Sequence, residues 1–257
     1  MFKPLFFLGM VLVGYLAQFV DGTLGMGYGV FSASLLVSIG LYPVVASASV
    51  HMAQVFTTLL SGVSHFKLGN VKRDLVLSLA IPGAIGGVAG AYFLASVPGK
   101  AITPFVAAIL LLMGLLILYR ALVQKKSISS ENNGHSRVKL TLLGLVAGFI
   151  DAIGGGGWGP IATPSLILSG NEEPRQVVGS INLVEFFVTL AETLTFLITV
   201  GPEAFRWDIV VALLIGGAIA APVAAFLCKK LPQKALGGLI GVALIGFSIR
   251  TIFRLAM

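Results

Sequence analysis

Two aspartates stand inside long apolar stretches, Asp21 after Phe19-Val20 and Asp151 after Phe149-Ile150, and each runs into a cluster of glycines. An ionisable group deep in a bilayer costs at least about 2.5 to 3.5 kcal/mol, so its default reading is functional. An apolar medium disfavours a bare charge, which suits either aspartate to taking up and releasing a proton. The competing structural reading is that each carboxylate caps the half-helix starting in the glycines by accepting its free N–H groups, and the two roles are compatible. The glycines carry chemistry of their own. A helix that begins within the membrane after Gly25, Gly27 and Gly29, or after Gly155, Gly157 and Gly159, presents unpaired amides and a partial positive charge. Such an end holds an anion without Arg or Lys, and no apolar run here carries either at mid-membrane depth. The alternative for these glycines is close helix packing or a tight bend, and for Gly83, Gly86, Gly87 and Gly90 packing is the preferred reading. Tyr28 and Trp158, set among the break glycines, either line the cavity or pack as aromatic core.

A second set lies after Pro43 and Pro174. His51 and Gln54 are three residues apart, as are Asn182 and Glu185, so each pair shares a helical face, with Ser49 and Ser180 nearby. Donors of these types complete an oxyanion site that the glycine loops leave open. Carboxylates at Glu185 and Glu192 repel an anion unless protonated, so either is a proton-coupling candidate beside Asp21 and Asp151. His51 also has a plain reading as a hydrogen-bonded interhelical residue. His65 and His135 fall near loops and receive no role.

Composition says what must position these groups. The chain has 257 residues, 57% hydrophobic and 11% charged, and a mean hydropathy of +1.00. Soluble domains carry about 25% charged residues, so an integral membrane protein with little room for a soluble domain is expected. About 20 apolar residues span a bilayer, which allows seven to nine crossings. The formal charge of +7 falls mainly between apolar segments, where it marks cytoplasmic loops and not a nucleic-acid surface. The single cysteine, Cys228, excludes an internal disulfide framework and a thiolate metal cluster, and reads as a small apolar filler. No metal or cofactor is expected. Lys3 followed by the run from Leu5 to Val20 raises a signal peptide, but no small-x-small cleavage pattern follows and the run passes into Asp21, so a retained membrane segment is expected.

The apolar runs cover 5 to 41, 44 to 66, 75 to 97 and 101 to 123, then 140 to 169, 175 to 200, 207 to 228 and 235 to 254. The halves are related. A shift of 130 residues matches Gly14, Ala17, Phe19, Asp21, Gly25, Gly27 and Gly29 with Gly144, Ala147, Phe149, Asp151, Gly155, Gly157 and Gly159. A shift of 131 aligns Ser49, His51 and Gln54 with Ser180, Asn182 and Glu185, and one of 134 pairs Asp74 with Asp208. The expected architecture is an all-α polytopic membrane protein of two homologous repeats, 1–123 and 140–257, joined by a polar cytoplasmic connector, 124–139. Each repeat holds a glycine-broken segment plus three spanning helices. If the broken stretch 5 to 41 is a hairpin, the repeats are inverted and twelve Lys or Arg lie on one side against five on the other. A single crossing there also gives twelve against five, but about 35 helical residues overrun a core of roughly 30 Å, which favours inversion. Glycine-broken segments at matching places in two halves point to a transport site at the repeat interface.

The segments Phe19-Val20-Asp21-Gly22-Thr23-Leu24-Gly25-Met26-Gly27-Tyr28-Gly29 and Phe149-Ile150-Asp151-Ala152-Ile153-Gly154-Gly155-Gly156-Gly157-Trp158-Gly159, with the steps Ser49 to His51 and Ser180 to Asn182, resemble the sulfite exporter TauE/SafE family. The resemblance covers nearly all of the chain outside the connector. It implies a duplicated helical permease for sulfite, sulfonates or related small oxyanions, commonly in bacterial inner membranes. The leading expectation is an ion-coupled secondary transporter of a small anion, with membrane lipid as its other partner, no nucleic acid, and a homo-oligomer left open. A passive anion channel is the nearest rival. An intramembrane aspartyl protease fits less well, because here the glycines follow the aspartates, and a structural membrane subunit stands beside it.

Overall fold

The computed structural model describes residues 4–123, 136–169, 172–228 and 233–256. Most of the expected connector, with His135, lies outside the described residues, as do Lys3, Lys229 and Lys230. The apolar runs become helices whose ends sit at prolines, glycines or short polar turns, with 5 to 41 and 140 to 169 each divided into two. The order is α1 Pro4–Leu24, α2 Tyr28–Ser38, α3 Pro43–Lys67, α4 Arg73–Ser96 and α5 Gly99–Val123, then α6 Arg137–Gly154, α7 Trp158–Ser169, α8 Pro174–Thr199, α9 Trp207–Leu227 and α10 Gln233–Ala256. Pro43 and Pro174 open α3 and α8, where a missing N–H costs nothing and the fixed φ is already helical. Among the described residues seven helices are long and apolar enough to cross a membrane: α1, α3, α4, α5, α8, α9 and α10.

The interior is built of apolar clusters with polar groups set among them, and large apolar residues also cover the outside. Leu5, Leu77, Ile81, Leu122 and Ile198 are among the large apolar residues left outside, whereas His51, Gln54, Asp151, Asn182 and Glu192 are fully buried. That distribution follows from lipid as solvent: apolar side chains are tolerated on the outside, and polar ones find partners only within. Close packing relies on small residues. A Cβ on Gly14 would fall 2.7 Å from Leu213 Cα, so only glycine lets α1 and α9 meet at that point. Gly86 and Gly90 sit against the Leu145 and Phe149 carbonyls in the same manner, as expected for the glycines of α4.

The contacts also give the relative sense of the helices. Gly14 meets Leu213 and Gly22 meets Ala224, so α1 and α9 run the same way; Gly86 with Leu145 and Gly90 with Phe149 show the same for α4 and α6. Ser49 meets Arg206 and Thr57 meets Gly217, giving α3 and α9 a common sense, and Gly83 with Val188 and Gly87 with Glu192 do so for α4 and α8. At the centre α3 and α8 run in opposite directions, because Gln54 meets Glu185 while Ser61 meets Asn182. So do α5 and α10, where Gly114 meets Leu244 and Gly241 meets Leu118.

Candidate functional site

Both broken stretches stop their first helix identically. Gly25 and Gly155 each have φ of 69°, the left-handed conformation that closes a helix and that glycine adopts without penalty. The Gly25 amide donates to the Asp21 carbonyl at 2.6 Å and the Gly156 amide to the Asp151 carbonyl at 2.9 Å. The chain then restarts as α2 and α7. Asp151 Oδ1 accepts from the Gly157 and Trp158 amides at 2.5 and 2.9 Å, and Asp21 Oδ1 accepts from the Tyr28 amide at 3.4 Å. Each aspartate therefore ties the end of one helix to the start of the next, the capping arrangement that the sequence offers beside proton uptake.

The two breaks touch. A Cβ on Gly29 would lie 2.6 Å from the Gly155 oxygen and 2.6 Å from Gly156 Cα, and one on Gly159 would lie 2.5 Å from Met26 Cα and 2.6 Å from the Gly25 oxygen. Thr163 Oγ1 donates to the Gly25 carbonyl at 2.5 Å. Gly29 and Gly159 thus serve backbone-to-backbone contact between the two broken stretches, while Gly27 has only Val20 nearby, at 3.5 Å. Tyr28 and Trp158 are fully buried. Their rings pack over Gly217 and Gly83, and Trp158 Nε1 donates to the Ile181 carbonyl at 3.3 Å.

Against these breaks cross α3 and α8. Gln54 Nε2 donates to Glu185 Oε1 at 2.7 Å, and Gln54 Oε1 lies 3.3 Å from where a Gly29 Cβ would stand. Asn182 accepts from Ser61 Oγ at 2.6 Å and donates to the Asp21 carbonyl at 3.4 Å. His51 Nε2 stands 2.9 Å from Glu192 Oε2 and 3.5 Å from Asp151 Oδ2. Its Nδ1 is 2.8 Å from the Ser47 carbonyl, and Ser47 Oγ donates to the Ala152 carbonyl at 2.6 Å. Asp21, Asp151 and Glu192 all lie within electrostatic range of Glu185. Gly87 leaves the space that Glu192 fills, since a Cβ there would fall 2.7 Å from Glu192 Oε1.

Of the expected site residues, the structure brings together Asp21, Asp151, His51, Gln54, Asn182, Glu185 and the break glycines. Ser49 and Ser180 stand apart. Ser49 Oγ accepts from the Arg206 amide at 2.9 Å and Ser180 Oγ from the Lys72 amide at 2.8 Å, so both hold loops that lead into the next helix. His65 Nε2 sits 2.9 Å from the Gly22 carbonyl, a structural contact. Ser47, Ser61 and Gly87 join the cluster without having been singled out for it. Ser61 was within reach of the duplication, because the 131-residue shift that pairs His51 with Asn182 also pairs Ser61 with Glu192.

A helical bundle with several membrane-length spans, broken helices meeting at its centre and ionisable groups buried between them has the layout of a membrane transporter. A family model described as Sulfite exporter TauE/SafE matches residues 10–251, and the chain belongs to that family, as a multi-pass membrane transporter. Among curated relatives it is similar to "Probable membrane transporter protein YtnM" of Bacillus subtilis (strain 168), with 46% identity over 241 residues, 93% of this chain and 80% of that one. It is also similar to "Probable membrane transporter protein YdhB" of the same organism, with 28% identity over 181 residues, 70% of this chain and 73% of that one. No solved structure matches the chain.

Proposed function

We propose that the protein is a proton-coupled secondary transporter of a small anion, of the class of sulfite, a sulfonate or a related sulfur oxyanion, acting in the cell inner membrane by alternating access of two inverted repeats. The observation that carries this reading is the Asp151 carboxylate. One of its oxygens takes the amides at the start of α7 and the other faces His51. Those amides are the donors that an oxyanion would use, so the carboxylate and the substrate compete for them. Protonating Asp151 weakens its hold and releases the amides. An anion entering beside Asp21, Glu185 and Glu192 without a proton adds like charge to a desolvated region, which is costly. Anion and proton therefore enter together.

Inversion is supported by the helix senses. α1 shares the sense of α9, and α9 that of α3; α3 opposes α8, which shares its sense with α4 and α6. Followed through, α1 and α6 point in opposite directions, and α2 and α7 turn back toward the faces from which α1 and α6 set out. Among the described residues this arrangement gathers eight Lys and Arg on one side against four on the other, the richer side being the cytoplasmic one by the distribution of positive charge.

The test screens sulfite, sulfate, thiosulfate, taurine and small carboxylates for binding to purified protein, then titrates pH for whichever binds. Uptake of one proton with the anion makes affinity rise about tenfold per pH unit on acidification. Asp151→Asn, which keeps a carbonyl oxygen for the same amides, should flatten that slope by one proton while the protein stays folded. No binding by any of these anions, or an unchanged slope in both Asp151→Asn and Asp21→Asn, removes the reading.

A further inference from the structure

We propose that His51, Asp151 and Glu192 form a binding site for one first-row divalent metal ion of the zinc class. The proposal goes beyond anion transport and does not depend on which anion is carried. The three donors come from α3, α6 and α8, and one ligand atom from each lies within 4.8 Å of the others. Tetrahedral zinc with bonds near 2.0 to 2.1 Å separates its ligand atoms by about 3.3 Å; the His51 nitrogen stands 2.9 Å from the Glu192 oxygen and 3.5 Å from the Asp151 oxygen.

The second observation is the state of the donor atoms. His51 Nδ1 faces the Ser47 carbonyl at 2.8 Å, and a carbonyl only accepts, so Nδ1 carries the hydrogen. In the neutral ring Nε2 then presents a lone pair, as in metal-bound histidines oriented by a backbone carbonyl. That lone pair points at carboxylate oxygens. His51 Nε2, Asp151 Oδ2 and both Glu192 oxygens are buried and have no hydrogen bond of acceptable geometry. Acceptors held face to face in a dry site call for a cation between them. Asp151 is already fixed as a one-oxygen ligand, because its Oδ1 is held by the Gly157 and Trp158 amides. A doubly charged ion balances two carboxylates exactly as their charge requires, whereas a single proton leaves the triad negative. One imidazole nitrogen and two carboxylate oxygens favour zinc-class ions over sodium or magnesium.

The duplication fixes the stoichiometry. By the same 131-residue shift the other half offers Asn182 for His51 and Ser61 for Glu192, and these bond to each other at 2.6 Å. An amide and a hydroxyl satisfied by one another leave no second metal site, so the expectation is one ion per chain.

The experiment uses chelator-dialysed full-length protein in detergent micelles, titrated with Co2+ as a spectroscopic probe. The expected result is a visible d–d band saturating at one equivalent, abolished by Zn2+, and weakened more than about a hundredfold in His51→Gln and in Glu192→Gln. His65→Gln should keep the full band. Thermal unfolding of the wild type supplies a readout free of variant folding: Zn2+ should raise the midpoint and Mg2+ should not. Absence of the band and of the Zn2+ shift in wild type, two equivalents bound, or a band that survives in both variants overturns the site. Loss of the metal signal with intact pH-dependent anion binding would leave the transport reading standing with the proton as its cation; a metal signal without anion binding would do the reverse.

Discussion

Asp151 shows how one side chain takes its role from its neighbours. Its Oδ1 closes the start of α7 while Oδ2 joins His51 and Glu192, so a cation on one oxygen changes the grip of the other on the amides. The glycine at the turn is as constrained as the acid. At Gly155 any side chain meets φ of 69° and the methyl group of Ala33. Left-handed backbone costs other residues about 1 to 2 kcal/mol, so Gly155→Ala should lower the unfolding midpoint measured in detergent by that penalty or more. Gly9→Ala, in α1 with nothing within 4 Å of its added Cβ, should leave the midpoint unchanged or slightly higher.

At the scale of the element, α7 carries a break in its hydrogen bonding that another helix repairs. Pro164 lies inside α7 and has no N–H for the carbonyl of Pro160, and Arg120 of α5 donates to that carbonyl at 2.6 Å. Arg120→Met should cost roughly 1 to 3 kcal/mol. Pro164→Ala should recover part of the loss by restoring the helical donor, read as non-additive unfolding midpoints in a double-mutant cycle. The helices themselves were legible in the sequence, since runs of apolar residues ending at Pro43, Gly99, Pro174 or the glycine clusters carry their own boundaries. The faces of α3 and α8 were only partly so. Residues two apart differ by about 200° around a helix, so Ser49 and Ser180 turn away from His51 and Asn182 and hold loops instead. Ser49→Ala and Ser180→Ala are accordingly expected to lower stability by about 1 kcal/mol and leave anion affinity unchanged in the binding assay. Glu192 meeting His51 was not legible, because it depends on how two helices more than a hundred residues apart cross.

For the whole molecule, the repeat visible in the sequence becomes a core where the two breaks lie in backbone contact and α3 crosses α8. The duplication exposes the pairing of residues but not the relative sense of the halves, and charge counting gave twelve against five for either topology. The inverted arrangement predicts sidedness. In a Cys228→Ser background, single cysteines at the exposed positions Lys67 and Glu173 should react with an impermeant thiol reagent only from the cytoplasmic face, and those at Pro98 and Glu203 only from the other. Labelling of Lys67→Cys and Glu203→Cys from one face would contradict the inverted pair.

The claim on which the rest depends is that anion movement draws on the proton gradient through the buried acids between the breaks. It is tested most directly by anion accumulation in proteoliposomes under an inward proton gradient, with protein-free vesicles as the reference. The account predicts that the wild type drives the anion above its external concentration, that a protonophore abolishes this, and that Asp151→Asn brings the anion only to equilibrium. Wild-type flux that never passes equilibrium, with or without the gradient, would contradict it.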